Sequence, residues 1–183
     1  MLKILNRSQI AKIFSLVILV LTSLALLLKP TMRFIYPIKY EKEIREIANH
    51  FDLDAYLVAG IISTESGFEE NALSYKGAKG LMQIKDKTKN WCIENLDVPQ
   101  YSDSAVQNIS IGCTYFKYLM NKYDSNVITA LAAYNAGEGN VSKWLKLENS
   151  KNYVLSDIPF KETKNYVERV ETRRKIYQFL YDI

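Results

Sequence analysis

The stretch ISTESGFEENALSYKGAKGLMQI, from Ile62 to Ile84, ends an apolar helical run on a single carboxylate, Glu65. The residues before it, Tyr56, Val58, Ala59, Ile61 and Ile62, point to burial on most sides of a helix running from Asp54 to Ser66. Desolvation disfavours the ionised carboxylate there, and so does the partial negative charge of the helix C-terminus. Both effects raise its pKa, and a carboxyl lifted toward about 6 can donate a proton near neutral pH. Taken alone, Glu65 reads more readily as a helix-end glutamate turned to water.

The loop that follows adds polar chemistry. Gly77 and Gly80 permit turns and close backbone approach. Gln83 then sits in an apolar wall between Leu81-Met82 and Ile84, where a carboxamide needs partners. It offers both a donor and an acceptor, which suits an acetamido group. Ser74 supplies a further polar contact. The alternative is a surface turn followed by a helix start. A third piece, LAAYNAGEGNV from Leu131 to Val141, ends a helix in Tyr134-Asn135 before Gly137 and Gly139. Tyr134 can present its hydroxyl to a cleft, and Asn135 either joins it or caps the turn locally. Glu69 and Glu70 fall in a polar turn and read as solvated.

Helices must position these groups, because the periodicity is helical throughout the body. Tyr40, Ile44, Ile47, Ala48 and Phe51 line a first helix, which His50 ends on the surface. Asp54 caps a second, closed by Gly67. Asp86 or Lys87 begins a third with Trp91 and Leu96, and Ser102 or Asp103 caps a fourth whose stripe is Val106, Ile109, Cys113, Phe116, Leu119 and Tyr123. Asn126 caps a fifth; Val141, Trp144 and Leu145 mark a sixth; Pro159 precedes a seventh with Tyr166, Val167, Val170, Tyr177 and Leu180. The expected fold is an all-α domain over residues 39–183, long enough for a core without staples. Lys164, Arg169, Arg173, Arg174 and Lys175 read as a solvated face of the last helix.

The net charge of +4 belongs to the N-terminus. Residues 1–38 hold five basic residues and no acid, leaving 19 basic against 20 acidic side chains in the body. A near-neutral body argues against a nucleic-acid partner. Ile13–Leu28 carries no charge, and with the residues back to Ile10 it just spans a hydrocarbon core of about 30 Å. Lys3, Arg7 and Lys12 before it favour an inside N-terminus, although Lys29 and Arg33 beyond it weaken that bias. The expected order is a cytoplasmic tail (1–12), a membrane signal-anchor (13–29), a stiff linker with two prolines (30–38) and an exported domain. A secreted protein cleaved near Ala25 is the rival reading. Export permits a Cys92–Cys113 disulfide, but sequence leaves paired and buried free thiols equally open. With one histidine in the chain, His50, far from both, no metal site is expected.

The order Glu65-Ser66, Gly80-Leu81-Met82-Gln83, then Ala133-Tyr134-Asn135-Ala136-Gly137 resembles the catalytic domain of the soluble lytic transglycosylases, glycoside hydrolase family 23. DLDAYLVAGIISTES is similar to that family's catalytic helix, with Ala55 where a proline is common. AVQNISIGCTYFKYLM resembles its central helix and PFKETKNYVERV its closing segment, so the likeness covers roughly residues 40–181. Goose-type lysozymes are more distantly similar. The resemblance implies a lysozyme-like fold that cleaves peptidoglycan glycan strands between N-acetylmuramic acid and N-acetylglucosamine, without a cofactor. It implies one glutamate, Glu65, acting as acid and then base while the muramic 6-hydroxyl attacks, leaving a 1,6-anhydro end. It further implies substrate roles for Ser66, Ser74, Met82, Gln83, Tyr134, Asn135 and Tyr166, and a structural or sugar contact for Glu162. A hydrolytic muramidase of the same fold and a non-catalytic cell-wall binding module are the alternatives.

Overall fold

The computed structural model describes residues 6–147, 150 and 152–183. The chain divides into two units, one ending at Pro37 and one comprising Ile38–Ile183. Within the first, helix α1 spans Arg7–Ile35 and begins with a reciprocal cap: the Asn6 side chain accepts the Gln9 N–H, and the Gln9 side chain accepts the Asn6 N–H. Residues 1–5 of the expected cytoplasmic tail lie outside the described residues, and from Arg7 the tail is already helical. The expected linker at 30–38 is also corrected. Pro30 lies inside the helix, which runs on to Ile35. A proline withdraws one N–H, but the residues after it resume the i→i−4 ladder, as the Tyr36 N–H to the Met32 carbonyl at 2.8 Å shows. Non-helical connection is confined to the residues around Pro37. The side chains from Ile13 to Leu28 are exposed in the isolated chain, and among the described residues α1 is the one helix long and apolar enough to cross a membrane.

The second unit is built from α2 (Glu41–His50), α3 (Ala55–Glu65), α4 (Asp86–Asn95), α5 (Ser104–Lys122), α6 (Val127–Ala136), α7 (Glu138–Leu147) and α8 (Lys161–Leu180). Side-chain oxygens start three of them. Asp54 accepts the N–H groups of Tyr56 and Leu57, Asp103 those of Ala105 and Val106, and Asn126 that of Thr129. Helix α3 is apolar all round, so it must be enclosed. Its main packing partner is α8. Gly60 sets the approach: a Cβ there would stand 2.9 Å from the Val170 carbonyl and 3.2 Å from the Arg174 nitrogen.

Polar groups tie the same pair of helices. Arg174 donates to Asp54 at 2.6 Å, so the residue that caps α3 also anchors it. Arg173 donates to the Ser63 carbonyl and, at 2.7 Å, to its hydroxyl; the Tyr177 hydroxyl reaches the same Ser63 oxygen at 2.8 Å. This corrects the reading of the basic residues of α8 as a solvated face. Lys164, Arg169 and Lys175 are exposed, whereas Arg173 and Arg174 turn inward to satisfy polar groups of α3 that would otherwise be stranded.

Between α3 and α4 lies a small antiparallel sheet, β1 (Ala78–Lys79) with β2 (Ile84–Lys85), joined by a bridge from Leu73 to Lys79. Strands of two residues are too short to show period-two alternation, so the helical reading passed over them. The thiols of Cys92 and Cys113 are both free and buried, which removes the disulfide. Burial raises both thiol pKa values, that of Cys92 to about 11, so they behave as small apolar side chains.

Candidate active site

Glu65 closes α3 beside a cleft of about 350 Å³. Burial pushes its carboxyl up from 4.5 to about 7, against opposing pulls from the Tyr166 hydroxyl and the Arg169 charge. Tyr166 projects from α8, and its hydroxyl is buried without a well-formed hydrogen bond among the described residues; the Glu65 carboxyl is the acceptor it faces. Tyr134, on α6, is close enough to feel the same charge, and its hydroxyl donates to the Met82 carbonyl at 2.8 Å. Burial keeps both phenols neutral.

The loop between α3 and α4 is held by its own backbone. The Ser66 hydroxyl donates to the Leu81 carbonyl at 2.8 Å, locking the loop to the end of α3. Ser74 closes a turn: its hydroxyl accepts the Ala78 N–H at 2.9 Å. Asn108 of α5 clamps the strand ends, accepting the Met82 N–H at 2.8 Å and donating to the Lys79 carbonyl at 3.0 Å. Gly80, at φ +75°, leaves room for that clamp, because a Cβ there would lie 2.6 Å from the Asn108 amide nitrogen.

Gln83 adopts a left-handed conformation, φ +49°, uncommon for a residue with a side chain. Its amide NH₂ donates to the carbonyls of Gly80 at 2.9 Å and Ala72 at 3.1 Å. Both donors are therefore spent on the loop, and Oε1 is the group left for the cleft. Asn135 is the complement. Its Oδ1 accepts the Thr163 hydroxyl at 2.8 Å, which leaves its NH₂ as a donor.

Of the residues expected at a site, Glu65, Ser74, Gln83, Tyr134, Asn135 and Glu162 line the cleft. Ser66, Met82 and Tyr166 do not: Met82 accepts from the lining Tyr134, Tyr166 faces the lining Glu65, and Ser66 holds the Leu81 carbonyl of the loop. Glu162 is exposed, in the first turn of α8. Sequence reasoning missed Tyr115, Tyr75, Lys76 and Thr88 of the lining, and the Asn108 clamp behind it. A signal for Tyr115 existed: Gly112, Tyr115 and Tyr118 recur at helical spacing on α5, off the stripe of Ile109, Cys113 and Phe116. Gly112 leaves the space that the Met82 side chain fills. Among the described residues no group of His, Cys, Asp and Glu is arranged to hold a metal.

A helical domain with a buried acid at the end of its enclosed helix α3, facing a cleft closed by a clamped glycine loop, is of the lysozyme-like class. The chain belongs to the Transglycosylase SLT domain family, whose model matches residues 42–155. It is 30% identical over 154 residues to the soluble lytic murein transglycosylase of Escherichia coli K12, covering 79% of this chain and 24% of that one. It is 26% identical over 171 residues to the membrane-bound lytic murein transglycosylase C of Histophilus somni strain 2336, covering 78% and 47% respectively. Among solved structures, the 70 kDa soluble lytic transglycosylase of Escherichia coli superposes with a TM-score of 0.72 at 29% identity, over 81% of this chain and 25% of that one. An inactive glutamate-to-glutamine mutant of lytic transglycosylase Slt from Pseudomonas aeruginosa superposes with a TM-score of 0.71 at 28% identity, over 81% and 25%. The chain thus spans about a quarter of the length of the soluble relatives.

Proposed function

We propose that the domain is a peptidoglycan lytic transglycosylase with Glu65 as its acid and base. The observation that carries this reading is the Glu65 carboxyl, held near neutrality at about 7 inside the cleft. Protonated Glu65 gives its proton to the glycosidic oxygen as the bond to the muramic anomeric carbon breaks. The sugar's own 2-acetamido carbonyl stabilises the developing cation, the substrate-assisted route in place of a second carboxylate. Gln83 Oε1 accepts the acetamido N–H, which orients that amide and enriches its carbonyl oxygen. The Glu65 carboxylate then takes the proton of the muramic 6-hydroxyl as that oxygen bonds to the anomeric carbon. The products are a free 4-hydroxyl and a 1,6-anhydro end; Glu65 is protonated again and no water is consumed. Tyr134 and Tyr166 supply a neutral low-dielectric wall around the acid, and the Asn135 amide donates to a sugar oxygen.

The names of the relatives support the substrate class, and the likeness to the complex of the 70-kDa soluble lytic transglycosylase with bulgecin A, TM-score 0.73 at 29% identity, supports the fold of the site. Hydrolysis by the same fold is the second reading, favoured by Glu162, which lines the cleft and is exposed to water. Digestion of purified glycan in heavy-oxygen water separates them. New muramic ends are expected to lack the label and to be lighter by one water than reducing ends; stoichiometric incorporation would establish the muramidase instead.

For location, the support is α1: Lys3, Arg7 and Lys12 precede its apolar run, and the curated relatives include membrane-bound enzymes. The reading is a single-pass anchor with residues 39–183 on the outer side. The full-length N-terminus is expected in the membrane fraction. A mature chain found in the medium and starting at Leu26 would replace anchoring with cleavage.

A further inference from the structure

We propose that Asn108, on α5, is a positioning residue for the reaction: it grips the two peptides on either side of the one from which the Gln83 carboxamide hangs, and so fixes where that group meets the substrate. The inference rests on the role given to Gln83 above. Asn108 does not line the cleft that holds Glu65, so it acts through the loop.

Gln83 leans on a single carbonyl. Its backbone N–H, at 3.2 Å, and its side-chain NH₂, at 2.9 Å, both donate to Gly80. That carbonyl belongs to the peptide joining Gly80 to Leu81. On one side of this peptide, Asn108 Nδ2 donates to the Lys79 carbonyl at 3.0 Å; on the other, Oδ1 accepts the Met82 N–H at 2.8 Å. Each gripped peptide has a second partner at its far end. The Gly80 N–H donates to the Ala72 carbonyl at 2.9 Å, and the Leu81 carbonyl accepts the Ser66 hydroxyl at 2.8 Å. Removing Asn108 leaves each of the two held at one end only. Ser66 and Tyr134 each take one loop carbonyl, whereas Asn108 takes a carbonyl and an N–H. A carboxamide is the side chain of this length that offers a donor and an acceptor together. The grip comes from a fixed support. One turn further along α5, Gly112 leaves the hollow that the fully buried Met82 side chain fills, so the same helix holds Met82 by backbone and by side chain. Gln83 needs such support, because a residue at φ +49° persists where its surroundings over-determine it.

The test is a double-mutant cycle on the full chain in detergent, with purified glycan strands as substrate and new muramic ends counted. Asn108→Ala should lower kcat about tenfold, the order expected when a polar contact in the site is misplaced, and change KM by less than about twofold. In a Gln83→Ala background the same substitution should cost less than about twofold, since the group it positions is gone. A role confined to stability would lower the unfolding midpoint and leave that coupling absent. Asn108→Asp covers the case in which the alanine variant folds poorly. It keeps the acceptor for the Met82 N–H and loses the donor to Lys79, and its loss of kcat should likewise vanish without Gln83. Undiminished kcat in both variants, or equal losses with and without Gln83, would overturn the proposal. Failure of the underlying reading has a different signature: Gln83→Ala alone would keep full activity, or the unsubstituted protein would leave glycan uncut.

Discussion

Replacing Glu65 by glutamine is expected to lower glycan turnover by about 10²–10⁴ and, at the same time, to make the protein more stable above neutral pH. The two effects share one cause. Glutamine occupies the same space but cannot give or take the proton, so the acid and the base are lost together. In the native protein the carboxyl sits at about 7 against 4.5 for an unburied glutamate. Below pH 4.5 it is neutral whether the chain is folded or not, and it shifts stability in neither direction. Between 4.5 and 7 the unfolded chain ionises while the folded one keeps its proton, so stability drains away as pH rises. Above 7 the folded protein bears the whole cost, up to about 3 kcal/mol. Denaturant unfolding of both proteins should therefore agree near pH 4 and diverge by that order near pH 8. Rate against pH should decline above about 7, as the proton leaves. Near-native turnover in Glu65→Gln would end the proposed role; equal stability at pH 8 would show that the carboxyl is not desolvated.

Gln83→Ala is expected to reduce activity by about ten- to a hundredfold, the cost of one lost polar contact at roughly 1–3 kcal/mol. The side chain does two things: its NH₂ bridges the Gly80 and Ala72 carbonyls, and its oxygen faces the cleft. Gln83→Gly separates side chain from backbone. Glycine accepts a φ of +49° without the strain that alanine keeps, so it should be the more stable of the two by about 1 kcal/mol. If the carboxamide acts on the acetamido group, both variants lose activity alike, and chiefly in kcat. Recovery of activity in Gln83→Gly alone would mean that loop strain, and not the carboxamide, controls the rate.

Much of the helical frame is legible because its signals are local. Asp54, Asp103 and Asn126 each stand at a helix start and satisfy N–H groups nearby in sequence. Glu65 stands out for a similar reason: it ends a run that is apolar on every side, and such a run is enclosed wherever it packs. Long-range partners leave no such trace. Nothing near Arg173 tells that it reaches Ser63, 110 residues away, and nothing near Tyr134 tells that its hydroxyl meets Met82 rather than the cleft. Met82 and Ser66 read as substrate contacts from their motifs, yet they act through their backbone or on it. Tyr115 was hidden among 13 tyrosines, because composition does not say which ring faces outward.

The tie between α3 and α8 also orders events in time. Polypeptide emerges from synthesis and export in sequence, and contacts between distant segments form only when both are present. Asp54 waits for Arg174, Ser63 for Arg173 and Tyr177, and Gly60 for the backbone at Val170. Glu65 waits for Tyr166, one wall of its enclosure. Without α8, Glu65 lacks the Tyr166 side of its enclosure. The burial that raises its carboxyl is complete only when residues 161–180 have packed onto α3, so the last helix of the chain finishes an environment that the third began.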